Sequence, residues 1–172
     1  MEIDFSTFDT FLADTIGTAI GQQECWDYVN LLWAHEGSRY WTYPPSDPSA
    51  TNHGVKWGWI NVEARYANTL INTIVQVVNL TDVKRGDVIV ISDGEYGHAG
   101  FASEDYNGTS FLGVYSQNYN NRKFVEYDVI NMSNFLGAFR YIPWQTGEES
   151  KHRFPWFIYN RRLNNRRNGL MI

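Results

Sequence analysis

The chain has 172 residues, of which 43% are hydrophobic and 19% are charged, and its formal net charge is −5. This composition predicts one globular domain with a packed core and excludes an intrinsically disordered chain. The negative charge argues against a general nucleic-acid binder, and no stretch approaches the ~18 apolar residues of a membrane-spanning helix.

The first part of the chain has the residue pattern of helices. Apolar residues recur every three or four positions over residues 5–19, and more clearly over residues 24–35, so we expect a helix in each segment. A loop rich in proline, serine and asparagine follows, and residues 60–70 are predicted to form a third, short helix.

The second part of the chain has the period of two that is typical of strands. Five segments show it, separated by turn residues: DVIVIS, HAGFAS, SFLGVYSQ, KFVEYDVI and AFRYIP. Their short links favour antiparallel neighbours. The order predicts an α+β fold, with N-terminal helices packed on an antiparallel sheet of five to six strands.

The charge also divides the chain. Residues 1–144 carry 8 Lys and Arg against 17 Asp and Glu, whereas residues 145–172 carry 6 against 2. We therefore predict a main domain at 1–144, a linker at 145–150 and a basic aromatic tail at 151–172. Aromatic and arginine side chains are enriched in interface hot spots, so the tail is a candidate segment for docking to a partner protein. A solvated end that binds nothing is the alternative.

The single cysteine, Cys25, is the candidate nucleophile. It lies at the predicted start of the second helix, where free backbone N–H groups lower the pKa of a thiol, and a nearby imidazole would lower it further. We therefore expect a thiolate of low pKa. A single cysteine excludes a disulfide within the chain. The alternative is a small buried apolar side chain without chemistry.

Four histidines compete for the role of general base. His35 lies ten residues after Cys25, too far along the helix axis to touch it, and His53 and His152 lie in the proline-rich loop and the tail. His98 begins a strand between two small residues, which leaves space for a thiol and a substrate, so it is the candidate base. Asn118, 20 residues later, suits a hairpin that returns to His98, and its amide oxygen would orient the imidazole.

The same residues are weak candidates for a metal site. The spacings C-x₂₋₄-C, H-x₃₋₅-H and H-E-x-x-H, which are typical of zinc ligands, do not occur in the chain. We predict neither a metal nor a cofactor.

Three segments in this order and spacing resemble the CHAP family, the cysteine, histidine-dependent amidohydrolases/peptidases of the NlpC/P60 and papain-like group. ECWDYV at 24–29 is similar to the family's nucleophile helix. KRGDVIV at 84–90 with YGHAG at 96–100 is similar to its GD-strand and GH-strand pair, and YSQNY at 115–119 to its Asn strand. The resemblance covers residues 10–143.

The resemblance implies a papain-like fold and hydrolysis of peptidoglycan by Cys25, His98 and Asn118. The bond would be the N-acetylmuramoyl-L-alanine amide or a peptide bond of the stem or cross-bridge. It also implies a phage endolysin, released from the host cytoplasm with a holin, or a virion-associated lysin. The N-terminus lacks the basic segment of a secretory signal, which agrees with either route.

Two positions depart from the family pattern. The residue before the nucleophile is Glu24 where the family usually has glutamine, so Gln23 becomes the candidate for an oxyanion or substrate-binding side chain. The position two residues before Asn118 holds Ser116 where the family often has glutamate. These departures favour the alternative function, a phage structural or docking protein with a vestigial hydrolase site.

A calcium site and an aromatic groove are two further possibilities for binding. Some members of the family bind calcium through an Asp-rich loop before the nucleophile, but only the scattered Asp9 and Asp14 precede Cys25, so no calcium site is predicted. Among the aromatic residues, Trp57 and Trp59 are the candidate pair for lining a glycopeptide groove. Packing in the core is the alternative for each.

Overall fold

The computed structural model describes residues 6–35, 54–60 and 74–141. The helices are α1 (Ser6–Thr15), α2 (Cys25–His35) and α3 (Val55–Ile60). The strands are β1 (Ile74–Val77), β2 (Val88–Ile91), β3 (His98–Ala102), β4 (Phe111–Gln117), β5 (Val125–Asn131) and β6 (Phe135–Tyr141). Single turns of 3-10 helix lie at Leu80–Asp82, Tyr119–Asn121 and Met132–Asn134.

The six strands form one antiparallel sheet in the order β1-β6-β2-β3-β4-β5. The predicted α+β fold is therefore confirmed, and each of the five predicted strands is present. The edge strand β1 was not predicted, and neither was α3. The helix predicted at 60–70 lies outside the described residues apart from Ile60, which ends α3. The linker 145–150 and the tail 151–172 also lie outside them.

Side-chain alternation along the strands divides the core between the two faces of the sheet. On the helix side, Phe101 of β3 is fully buried, with its ring centroid 5.3 to 5.8 Å from the rings of Phe8, Phe11 and Tyr28. On the opposite face, a second cluster includes Ile89, Ile91, Leu112, Val114 and Ile130. The central strands β2 and β3 are buried along their whole length because both faces are covered.

An ion pair joins the start of β2 to β6. Asp87 is 2% exposed, and Arg140 donates hydrogen bonds of 2.9 and 2.7 Å to its two carboxylate oxygens. The backbone N–H of Lys84 donates to the same carboxylate over 2.8 Å. Asp87 of the predicted GD-strand therefore has a structural role, since it joins β2 to β6.

Among the described helices, a search for a membrane-spanning segment finds no candidate of sufficient length and hydropathy.

This ion pair gives the first prediction. Replacing Arg140 by methionine leaves the buried Asp87 carboxylate without its charged partner, so we expect the free energy of unfolding to fall by about 3 kcal/mol. Urea unfolding followed by circular dichroism measures it. Lys84→Met is the control, because Lys84 and Asp105 form an ion pair whose side chains are 50% and 58% exposed. Its loss is expected to cost less than about 1 kcal/mol, and an equal cost for both variants contradicts the prediction.

Candidate active site

The helix that carries Cys25 begins where it does because of Asp27. The Asp27 carboxylate accepts hydrogen bonds from the backbone N–H groups of Gln22 (2.8 Å) and Glu24 (3.0 Å). This is one half of a capping box, in which the third helical residue binds the N–H of the residue before the helix. Gln23, within the same turn, has a φ of 71°. Cys25 is therefore the first helical residue, beside backbone N–H groups that have no partner within the helix.

Gln117, the last residue of β4, attaches this turn to the sheet. Its side chain is fully buried; Oε1 accepts from the N–H of Ile20 (2.6 Å), and Nε2 donates to the carbonyls of Ile20 (3.0 Å) and Glu24 (2.9 Å). No role for Gln117 was predicted from the sequence. The available signal was the alternation along β4, which places Gln117 on the helix side of the sheet with Tyr115, whereas Ser116 lies on the opposite side with Val114.

The thiol of Cys25 lies against β3. Its side chain is 8% exposed, and the backbone N–H groups of Ala99 and Trp26 hydrogen-bond to the sulfur. Ala99 directly follows His98, and the pairing of β3 with β4 begins one residue later, at Gly100↔Ser116. The structure thus brings the predicted nucleophile to the strand that begins with the predicted base.

Asn118 follows the strand that pairs with the His98 strand. The pairing of β3 with β4 runs from Ala102↔Val114 to Gly100↔Ser116, and Asn118 lies just after the end of β4 with a φ of 67°. His98 and Asn118 are each two residues beyond the last paired residues of their strands. His98 is 6% exposed, and its ring centroid lies 5.1 Å from that of Tyr119.

Three buried polar atoms at or near the ends of these two strands have no hydrogen-bond partner within the described part of the chain: His98 Nε2, Ser116 Oγ and Asn118 Oδ1. The predicted hydrogen bond from His98 to Asn118 is therefore not formed in this structure. Among the described residues, no other group binds to either of these two atoms.

The expectation of a low thiol pKa is wrong for this structure. Burial raises the pKa of Cys25 to about 11, and the neighbouring carboxylates of Glu24 and Asp27 add to the increase. The hydrogen bonds from Ala99 and Trp26 lower the pKa, but burial outweighs them. Burial also lowers the pKa of His98 to about 4, because the charged imidazolium is desolvated. Both groups are consequently neutral at pH 7.

The structure places Trp59 on the helix side of the sheet, against β6. Its half-buried ring lies over Gly137, where a Cβ atom would come within 2.0 Å of it, and its centroid is 4.9 Å from that of Phe139. Trp57 lies in α3, and its side chain is outside the described residues, as are those of His35, His53 and His152. The substrate-binding roles of Gln23, Trp57 and Trp59 stay predictions.

The described residues contain no group of three His, Cys, Asp or Glu side chains that could hold a metal ion.

No family model and no curated protein matches the chain. Solved structures with a similar fold include the wild-type endolysin LysIME-EF1, with a TM-score of 0.56 and 19% identity over 82% of this chain and 65% of that one. Ly7917 is similar with a TM-score of 0.53 and 12% identity, both alone and with the hydrolyzing product of MDP. These matches cover 76% and 81% of this chain and 59% and 63% of Ly7917. The chain thus spans less than two thirds of the length of these proteins, and the likeness is one of fold.

The raised thiol pKa gives a prediction about alkylation. Because Cys25 is the only cysteine, its rate of reaction with iodoacetamide can be measured directly against pH. We expect the rate in the folded protein to be still rising at pH 10, with a midpoint near 11. The chain unfolded in urea is the control, with a midpoint of about 8.5. A midpoint below that of the unfolded chain contradicts the prediction.

The lowered pKa of His98 gives a prediction about stability. Between about pH 6.5 and 4 the unfolded chain binds a proton at this residue that the native protein does not bind. The contribution of the neutral His98 to the free energy of unfolding is therefore fully present above pH 6.5, and it is lost as the pH falls towards 4. Between pH 7.5 and 5 we expect the wild type to lose about 2 kcal/mol more than His98→Gln, measured by urea unfolding at both pH values. Equal losses in the two proteins refute the assignment.

Proposed function

We propose that this chain is a peptidoglycan hydrolase that cleaves an amide bond with Cys25 as nucleophile. The bond is the N-acetylmuramoyl-L-alanine amide or a peptide bond of the stem or cross-bridge. The observation that carries the proposal is the position of the thiol. Cys25 begins α2, and its sulfur accepts the N–H of Ala99, the residue that follows the proposed base His98 in β3.

The neutral state of both groups determines how the proposed reaction begins. His98 takes the proton from Cys25 Sγ as the sulfur attacks the carbonyl carbon, so no ion pair is needed beforehand. Asn118 Oδ1 accepts a hydrogen bond from the imidazole and stabilises the imidazolium that forms. The backbone N–H of Cys25 and the side chain of Gln23 are the proposed donors to the oxyanion.

The second half of the proposed reaction restores the thiol. His98 gives its proton to the leaving amine, and the acyl group remains on sulfur as a thioester. A water molecule, deprotonated by His98, attacks the thioester, and the proton passes to the departing sulfur. The side chain of Asn118 keeps the imidazole in one tautomer through both steps.

The comparisons support the substrate class. The fold is similar to that of a protein described as an endolysin, and to that of Ly7917, which was solved with a hydrolyzing product of MDP. Because the sequence identities are 19% and 12%, these similarities support the proposal without assigning a bond or a residue.

A structural or docking protein with a vestigial site is the second candidate. Ser116 favours it, because this buried hydroxyl stands where the family often has a glutamate and has no partner among the described residues. In that case residues 151–172 would dock to a virion component and no bond would be cut. An activity measurement separates the two proposals.

We expect Cys25→Ser and His98→Ala to abolish clearing of purified cell walls, measured by turbidity and zymography. Asn118→Ala should retain weak activity, since loss of an orienting group usually costs less than loss of the base; we expect a decrease of about 100-fold in kcat.

His35→Ala and His53→Ala serve as controls and should keep near wild-type activity, with circular dichroism verifying the fold of every variant. If one of these two controls is inactive while His98→Ala clears walls, the base has been assigned to the wrong histidine. Full activity in Cys25→Ser rules out thiol catalysis.

A further inference from the structure

Each polar group of Glu24 has a hydrogen-bond or ion-pair partner, although its side chain is 47% exposed. Its backbone N–H donates to Asp27, and its carbonyl accepts from the N–H of Asp27 (3.1 Å) and from Nε2 of Gln117 (2.9 Å). One carboxylate oxygen accepts a hydrogen bond of 2.6 Å from Nδ2 of Asn118, and the other lies 3.2 Å from Nζ of Lys123. The residue that precedes the nucleophile is therefore fixed in the backbone and at the end of its side chain.

The contact with Glu24 decides which way the amide of Asn118 faces. An ionised carboxylate only accepts hydrogen bonds, so the amide atom facing it must be the NH₂ group and not the oxygen. Oδ1 then points to the other side, where it is buried without a partner in the described part of the chain. Asn118 is held in the left-handed region (φ 67°), and its backbone N–H donates to the carbonyl of Arg122 (2.7 Å).

From this geometry we infer that Glu24 is a positioning residue, whose carboxylate selects the orientation of the Asn118 amide that presents Oδ1 to His98. The inference rests on the proposed function and adds to it a residue that the sequence pattern treats as a departure. A glutamine at position 24 offers both a donor and an acceptor, so it would accept either orientation of the Asn118 amide. The glutamate accepts only one.

The same carboxylate has an opposing effect on the thiol. Its charge contributes to the raised pKa of Cys25, so its removal lowers the thiol pKa and favours the thiolate. Glu24 therefore assists the imidazole through Asn118 and opposes ionisation of the sulfur. Removal of the Glu24 carboxylate is thus expected to lower kcat and, at the same time, to make the Cys25 thiol ionise more easily. A residue with only a structural role would not produce this combination.

The experiment compares the wild-type chain with Glu24→Gln, Asn118→Ala and the double variant. For Glu24→Gln we expect a decrease of about tenfold in kcat, because a charge-assisted hydrogen bond is lost, with KM and Tm unchanged. The rate of iodoacetamide alkylation at pH 8 should rise. In the Asn118→Ala background, Glu24→Gln should lower kcat no further.

Glu104→Gln is the matched control, since Glu104 is exposed in the loop after β3, and should behave as wild type.

A second measurement does not depend on activity. The side-chain NH₂ resonances of Asn118, identified by their absence in Asn118→Ala, should shift and exchange faster with solvent in Glu24→Gln. Resonances unchanged by Glu24→Gln overturn the inference, as do additive decreases in kcat or an unchanged kcat. If Cys25→Ser is fully active, the proposed function fails, and the resonances then decide by themselves whether Glu24 orients Asn118.

Discussion

The site depends on the three hydrogen bonds made by the buried side chain of Gln117. They join the end of β4 to Ile20 and Glu24, and so connect two parts of the chain that are more than 90 residues apart in sequence. Backbone hydrogen bonds of 2.8 Å between residues 17–18 and Val125 hold the same segment against β5. Because a buried amide that loses its partners retains the full cost of desolvation, this connection has few alternative arrangements. The position of Cys25 relative to the sheet follows from it.

Burial determines the chemistry of the site more strongly than charge does. The start of a helix and two backbone N–H groups favour a thiolate, yet the desolvation of Cys25 outweighs them. The same effect keeps His98 neutral. Burial thus favours the neutral form of both side chains at pH 7. In the proposed reaction, proton transfer from Cys25 to His98 therefore accompanies the attack on the carbonyl carbon.

The sequence predicted the fold where the pattern is local. The five strands with period two and the helix that begins at Cys25 are recognisable from neighbouring residues alone. The four-residue strand β1 is not, because it is stabilised by pairing with β6 more than 60 residues away. At the candidate site, Cys25, His98 and Asn118 were predicted by type and spacing, and their catalytic roles stay predictions. The hydrogen bonds of Gln117 and Glu24, the position of Trp59 over Gly137 and the high thiol pKa depend on burial and long-range contacts, which no short motif encodes.

The cap of α2 also restricts how this segment can vary. Gly21 has a φ of 56°, and a Cβ atom at that position would lie 2.7 Å from the carboxylate carbon of Asp27. A side chain at position 21 therefore conflicts with the residue that starts the helix. The effects of substitutions at 21 and 27 on the stability of the fold are expected to be epistatic, and a library that randomises only one of these positions will recover few folded clones. In related sequences the two positions should change together.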